Sequence, residues 1–183
     1  DHFHPWQLTI AAALRLTRRL LISGELTYAA WSGFKTPASR LDFDVDLKDY
    51  NDRVNLPPAR DFPAPGFRDI VIPRVGAEWR ALEKPRFAVD VRGGYSYEMS
   101  PVPQQFDESN FADSDKHTFM LGGSFEVKPS LGILLHPWTF DLNLGLTYLP
   151  TRVEHKISPV DRVGDYKTSG LLVHFGVGVR SKF

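Results

Sequence analysis

The chain has 183 residues with 22 basic and 22 acidic side chains, so its formal net charge is zero. This balance argues against a nucleic-acid-binding protein, which would present a basic face. The absence of cysteine excludes disulfide frameworks, thiolate metal sites and cysteine nucleophiles. No apolar run reaches the ~18 residues that a membrane-spanning helix needs, but barrel strands hide their apolar residues by alternating them with polar ones.

Seven runs of alternating apolar and polar residues follow one another and predict seven β-strands. In the clearest run, the sixth, Leu142 and Leu144 alternate with Asp141 and Asn143. Pro73 in the third run removes a ladder donor and predicts a bulge or kink there. The predicted strands cover about 6–16, 20–28, 71–81, 86–98, 118–127, 138–148 and 171–183.

A soluble β-sandwich would alternate in the same way, but three features favour a membrane barrel. The runs are near the ~9–11 residues that cross a bilayer. Aromatic residues bracket the apolar stripes, as Trp138 and Tyr148 do in the sixth run. The polar faces carry full charges, which suit a water-filled lumen better than a packed core. We therefore predict an all-β fold, a transmembrane antiparallel β-barrel of the bacterial outer membrane.

Short and long connections alternate along the chain, which is the outer-membrane arrangement. We assign the long segments at about 35–66, 99–116 and 150–166 to extracellular loops of one barrel domain, 1–183. The alternating stretch 41–47, with its three aspartates, is interpreted as a hairpin arm above the membrane. The sequence pattern does not assign a role to the apolar segment 131–135. Single-chain bacterial barrels have an even strand number, so seven strands predict an upstream half that completes the barrel.

Four short motifs carry a resemblance to a known family. They are Trp31-Ser32-Gly33-Phe34, Phe67-Arg68-Asp69, Ser100-Pro101-Val102-Pro103 and Asp113-Ser114-Asp115-Lys116, and the chain ends in Phe183. With these motifs the chain resembles the C-terminal half of the FadL/TodX transporters for long-chain fatty acids and aromatic hydrocarbons. The resemblance implies a fourteen-stranded barrel with an N-terminal hatch. It also implies passive passage of hydrophobic ligand from the loops to a lateral opening.

The predicted function is passive outer-membrane transport of hydrophobic molecules such as long-chain fatty acids or aromatic hydrocarbons, without a cofactor. Loop aromatics would form an apolar ligand groove, with ordinary loop packing as the alternative. Arginines facing the lumen would pair with a fatty-acid carboxylate, or else form an ion-pair lattice with Glu25, Glu78, Asp90 and Glu98. The resemblance favours Arg68 for the carboxylate. The candidate ligand-binding residues are Arg68, Arg74, Arg92, Phe62, Phe67 and Phe106.

Other functions find weaker support in the sequence. A structural or adhesive barrel that binds a partner protein through its acidic loops is the main alternative. His117 beside Ser114 and Asp115 imitates a hydrolytic site, but no oxyanion donor is identifiable, so we predict no enzyme. Only His2 and His4 have a ligand-like spacing, and we predict no metal site. The expected partners are the lipid bilayer, the hydrophobic ligand, the upstream half and, through Phe183, the barrel-assembly machinery.

Overall fold

The fold is a single antiparallel sheet. The computed structural model describes residues 3–35, 65–106, 109–129, 136–158 and 161–181. Trp31–Gly33 forms one turn of 3-10 helix after the second strand. Within the described residues, no helix combines the length and the apolar character that a membrane crossing requires. The strands are β1 (Trp6–Arg15), β2 (Leu20–Ala30), β3 (Ile70–Glu83), β4 (Phe87–Glu98), β5 (Lys116–Val127), β6 (Trp138–Glu154) and β7 (Tyr166–Ser181).

Each strand pairs with its neighbour in the chain, in the order β1 to β7. This confirms the seven antiparallel strands that alternation predicts. The last two strands are longer than predicted, because β6 continues to Glu154 and β7 begins at Tyr166. A register shift between Leu149 and Arg152 separates the two parts of their ladder. Alternation is lost at such a shift, so the sequence pattern ends there although the pairing continues.

The predicted bulge at Pro73 is wrong. Pro73 pairs with Leu26 in an uninterrupted register with β2. The ladder between β3 and β4 begins only at the next residue, where Arg74 pairs with Ser96. Pro73 therefore lies outside that ladder, where it can be tolerated. The irregularity in β3 lies further along, between Arg80 and Leu82.

The registers give the sheet one apolar face and one polar face. Cross-strand partners share a face, and apolar residues meet apolar residues, as Leu121, Leu144 and Phe175 do across three strands. This apolar face is open: Leu142 is 55% exposed and Val177 is 72% exposed. The described residues contain only a handful of buried hydrophobic side chains, namely Ala29, Ile70, Ile72, Ala88 and Val102. They cannot form the core of a soluble sandwich, whereas lipid tails would cover the apolar face.

Aromatic side chains mark both ends of the apolar face. On β6 the apolar stripe runs from Trp138 to Tyr148, near the ~9–11 residues that cross a bilayer. Trp79 lies at the same end as Trp138, and Tyr28 lies at the same end as Tyr148. Amphipathic rings at two levels are typical of membrane interfaces. We call the opposite, polar side of the sheet the inner face.

Met120 and Leu121 provide a matched test of the two faces. Both side chains are 60% exposed, but Met120 lies on the inner face and Leu121 on the apolar face. We expect Leu121→Arg to destabilise the folded protein by about 2–4 kcal/mol, as arginine does near the bilayer midplane. Met120→Arg should cost less than about 1 kcal/mol. Guanidinium unfolding in lipid vesicles measures both, and equal losses would contradict the assignment of the faces.

Candidate functional site

The four motifs converge at the end of the sheet where the long connections lie. The backbone N–H of Ser32 donates to Asp69 Oδ1 at 2.8 Å, and the Tyr28 hydroxyl donates to the other oxygen of the same carboxylate. Both hydrogen bonds lower the pKa of Asp69, and the bond from the Tyr28 hydroxyl has the larger effect. The Arg68 N–H donates to the Pro101 carbonyl at 3.0 Å. The Ser100 N–H donates to Asp115 Oδ1 at 2.9 Å.

An aromatic cluster forms where these motifs meet, and we call it the aromatic mouth. Phe34 stacks on Phe67 with ring centroids 4.6 Å apart. Phe111 meets the edge of Phe67 at 5.0 Å, a geometry that stabilises aromatic pairs. The members of the mouth are Phe3, Trp31, Phe34, Phe67 and Phe111.

The aromatic mouth lies over the inner face of β2 and β3. Trp31 packs against a small buried cluster of Ala29, Ile70 and Ile72. Ala29 and Ile72 belong to the inner face, because they alternate with Tyr28 and Val71 of the apolar face. The mouth is therefore an apolar surface at one end of an otherwise polar inner wall.

The segment between β4 and β5 is held over the inner face by two side chains of β6, the half-buried Arg152 and the buried Glu154. Arg152 Nη1 donates to Ser100 Oγ at 3.1 Å and to the Val102 carbonyl at 2.9 Å. The Gln105 N–H donates to Glu154 Oε2 at 2.8 Å. Glu154 is 1% exposed and pairs with Arg152 Nε at 2.5 Å. Charge-assisted bonds of this kind are strong, so the segment is fixed in place.

Asp115 is a second anchor of the same segment. It accepts hydrogen bonds from the Ser100 N–H at 2.9 Å and from the Tyr97 hydroxyl at 2.7 Å. Burial by itself would raise the pKa of Asp115. The two donors and the charges of Arg152 and Arg68 outweigh burial, so that pKa lies below its ordinary value.

Below this end, the inner face carries a lattice of ion pairs. Arg74 bonds Glu25, and its Nη1 also donates to Thr27 Oγ1 at 2.9 Å. The remaining arginines of the lattice contact carboxylates across neighbouring strands, with oxygen distances of 2.7–2.9 Å. These pairs are Arg80 with Asp90, Arg92 with Glu78, and Arg180 with Asp141.

Between the Arg74–Glu25 pair and the Arg92–Glu78 pair, the inner face is nearly bare of side chains. One continuous row across five strands consists of Ser23, Gly76, Gly94, Met120 and Gly145. A Cβ atom at Gly76 would lie 3.0 Å from Ser23 Oγ, so the close approach here favours glycine. A cavity of about 460 Å³ lies over four residues of this row, from Ser23 to Met120, and Glu25 and Arg74 also line it.

The structure separates the predicted ligand-binding residues into three groups. Phe67 belongs to the aromatic mouth, whereas Phe106 is 46% exposed and makes no ring contact within the described residues. Arg74 and Arg92 form ion pairs with Glu25 and Glu78, as the alternative to carboxylate binding predicted. Arg68 is exposed and forms no salt bridge with the described residues. Phe62, like Phe183 and most of the segment 35–66, lies outside the described residues.

Sequence reasoning missed three residues of this region. Phe34 belongs to a quoted motif, but only contact with Phe67 shows its role. Arg152 was placed in a loop, because alternation ends at Leu149. Met120 is an exposed apolar residue on the polar face of β5, and this break in the alternation was the available signal.

The residues that imitate a hydrolytic site are not joined to one another. His117 Nδ1 shares a hydrogen bond of 2.8 Å with the Tyr95 hydroxyl. Ser114 Oγ shares one of 2.9 Å with Thr168 Oγ1. Asp115 is engaged by Ser100 and Tyr97, as described above. Among the described residues, no group of three or more His, Asp or Glu side chains is placed to hold a metal ion.

The lowered pKa of Asp115 makes the anchoring of residues 99–106 depend on pH. A carboxylate with a depressed pKa contributes stability above the ordinary aspartate pKa of about 4, and loses it as pH falls through the lowered value. We therefore expect amide exchange at Ser100, measured from about pH 6 to pH 2 and corrected for intrinsic rates, to accelerate at the acid end. Asp115→Asn should exchange fast throughout, while Asp161→Asn should behave as wild type. A flat wild-type profile would contradict this role.

Comparisons with known proteins agree with this architecture. No protein-family model matches the sequence. The alkane uptake protein A of Marinobacter nauticus is 41% identical over 101 residues, which are 55% of this chain and 21% of that protein. The crystal structure of a Pseudomonas aeruginosa FadL homologue matches 96% of this chain with a TM-score of 0.58 and 12% identity. The chain spans about a fifth of the first relative and 34% of the second.

These similarities bear on two predictions. The structural match confirms the predicted fold, an antiparallel sheet like part of a FadL-type β-barrel, and at 12% identity it concerns the fold alone. Together with the sequence match, it confirms the resemblance to the FadL/TodX family that the four motifs indicated.

Proposed function

We propose that this chain, which has the fold of a FadL-type barrel wall, forms part of an outer-membrane passage for the passive uptake of hydrophobic compounds. The observation that carries the proposal is the aromatic mouth on the inner face. Apolar rings at the end of a polar wall are costly to expose unless they bind something apolar. The bare row with its 460 Å³ cavity lies further along the same face, beyond the paired Arg74 and Glu25. No catalytic step is part of the proposal.

The charges of the wall favour uncharged substrates. In the described part of the chain, each of Arg74, Arg80, Arg92, Arg152 and Arg180 already contacts a carboxylate. A fatty-acid carboxylate would have to displace one of these partners and leave it unpaired, which is unfavourable. An alkane or an aromatic hydrocarbon makes no such demand. The similar protein named for alkane uptake supports alkanes as the first substrate to test.

Arg68 differs from these five arginines in its surroundings. It is exposed beside a cavity of about 440 Å³ that Ser114, Asp115 and Arg152 also line. Its charge reaches Asp115, but no carboxylate lies within salt-bridge distance in the described residues. We propose that Arg68 can receive an acidic headgroup at the entrance and that it is dispensable for hydrocarbons.

Removal of two rings from the mouth tests the route. We expect Phe67→Ala with Phe111→Ala to lower the uptake of radiolabelled hexadecane by cells about threefold to tenfold, since about 1 kcal/mol of aromatic contact is lost. The control is Phe106→Ala, which removes an exposed phenylalanine outside the cluster. Unchanged uptake in the double variant would contradict the route. If the double variant took up hexadecane normally but no longer bound a partner protein, the result would favour the alternative of an adhesive barrel.

Substitution of Arg68 tests the substrate class. We expect Arg68→Gln to leave hexadecane uptake unchanged and to reduce any uptake of a long-chain fatty acid, because the cation that would face the carboxylate is gone. Arg162→Gln, which removes another exposed arginine of the same end, is the control for charge. A loss of hexadecane uptake in Arg68→Gln, with the protein present at normal level, would contradict the proposal.

A further inference from the structure

Four basic residues lie in two neighbouring turns at the short-turn end of the sheet, and we call them the basic rim. They are Arg18 and Arg19 between β1 and β2, and Lys84 and Arg86 between β3 and β4. The Arg19 carbonyl accepts a hydrogen bond of 2.7 Å from the Arg80 N–H, which joins the first turn to β3. The Arg86 carbonyl accepts one of 2.8 Å from the Lys128 N–H. The turns therefore form one continuous edge.

The charges of the basic rim have no salt-bridge partner among the described residues, although the charge of Arg19 acts on Glu83. All four side chains are exposed, and none makes a salt bridge there. The one acidic residue of these turns, Glu83, is already paired with Lys128 at 3.3 Å and with Arg80 at 3.5 Å. The rim thus keeps an excess of positive charge, although the whole chain has a formal net charge of zero.

The rim lies at the level of a membrane interface. Arg19 directly precedes Leu20, which pairs with Trp79 of the apolar face. Arg86 directly precedes Phe87, and the row of Phe87 continues through Val127 to Trp138. Tryptophan rings and phenylalanine mark the boundary between lipid tails and headgroups. Side chains just beyond this boundary are at the height of lipid phosphates.

The described segments at the opposite end of the sheet have no excess of positive charge. They contain Asp69, Asp113, Asp115, Asp161 and Asp165 against four basic residues, Lys35, Arg68, Lys156 and Arg162. An excess of positive charge is therefore a property of one edge and not of both. This asymmetry is what an anionic surface on one side of the membrane would select.

We propose that the basic rim binds the phosphates of anionic phospholipids in the leaflet that the short turns face. The inference rests on the proposed placement of the chain in an outer membrane. Guanidinium and ammonium groups at headgroup height attract phosphate by charge, and arginine also donates two parallel hydrogen bonds to it. The selected lipid is a phosphatidylglycerol-like molecule with a net negative headgroup, whereas a zwitterionic lipid gains little.

The test compares lipid selection in vesicles that contain the membrane-inserted protein. Energy transfer from tryptophan to dansyl-phosphatidylglycerol is measured relative to transfer to dansyl-phosphatidylcholine. We expect wild type to prefer the anionic lipid at least about threefold at low salt, with the preference falling as salt screens the charges. The variant R18Q/R19Q/K84Q/R86Q should show a ratio near one. K35Q/R162Q, which removes exposed basic residues from the other end, should retain the wild-type ratio.

The outcomes separate this proposal from the transport proposal. A wild-type ratio near one, an unchanged ratio in the rim variant, or a stronger preference for dansyl-labelled lipid A would overturn lipid binding by the rim. Insertion of each variant is checked by its heat-dependent mobility in gels. The double variant R18Q/R19Q is used if the quadruple variant does not insert. Hexadecane uptake is measured on the same proteins. Loss of uptake with lipid preference intact would contradict only the transport proposal, and the reverse result would contradict only the rim.

Discussion

The antiparallel register between neighbouring strands is the constraint on which the rest of this structure depends. It places apolar residues beside apolar residues on one face and charged residues beside their counterions on the other. In a bilayer every backbone polar group must also be satisfied within the protein, and a paired sheet does this along its whole ladder. A slip of one residue would exchange the faces, bringing Arg92 into lipid and Leu121 into the lumen. The ion pairs and the apolar stripe therefore specify one register together.

The inner face changes character along the strands, and this gradient gives the wall its proposed use. Aromatic rings lie at one end, the paired Arg74 and Glu25 come next, the bare row with Met120 follows, and further paired charges occupy the other end. The paired charges make the lower wall polar and leave most of its described arginines engaged by carboxylates, as Arg92 between Glu78 and Asp141 illustrates. A route for hydrocarbons needs apolar contact at its entrance and no strong polar competition beside it.

At the long-loop end, side-chain hydrogen bonds pair backbone groups as the ladder does in the sheet. Arg152 and Glu154 satisfy backbone groups of residues 100–105 that have no strand partner, and Asp69 does the same for Ser32. Unpaired buried backbone groups are costly, so these side chains decide where the connections lie. The aromatic mouth depends on this, because Phe34, Phe67 and Phe111 come from three separate segments.

The sequence by itself determined the strands, their apolar and polar faces and the resemblance to the FadL/TodX family. The faces are visible in the sequence because side chains alternate with a period of two, as in β6. It also supplied Phe67 and Arg68 as candidates, since they stand in a recognisable motif. Only the tertiary structure decided that Arg74 and Arg92 are paired, that Phe34 stacks on Phe67, and that β6 continues past Leu149. Pair contacts between distant strands and the residues of a bulge depend on register and chain direction in space, and neither leaves a periodic signal in one sequence.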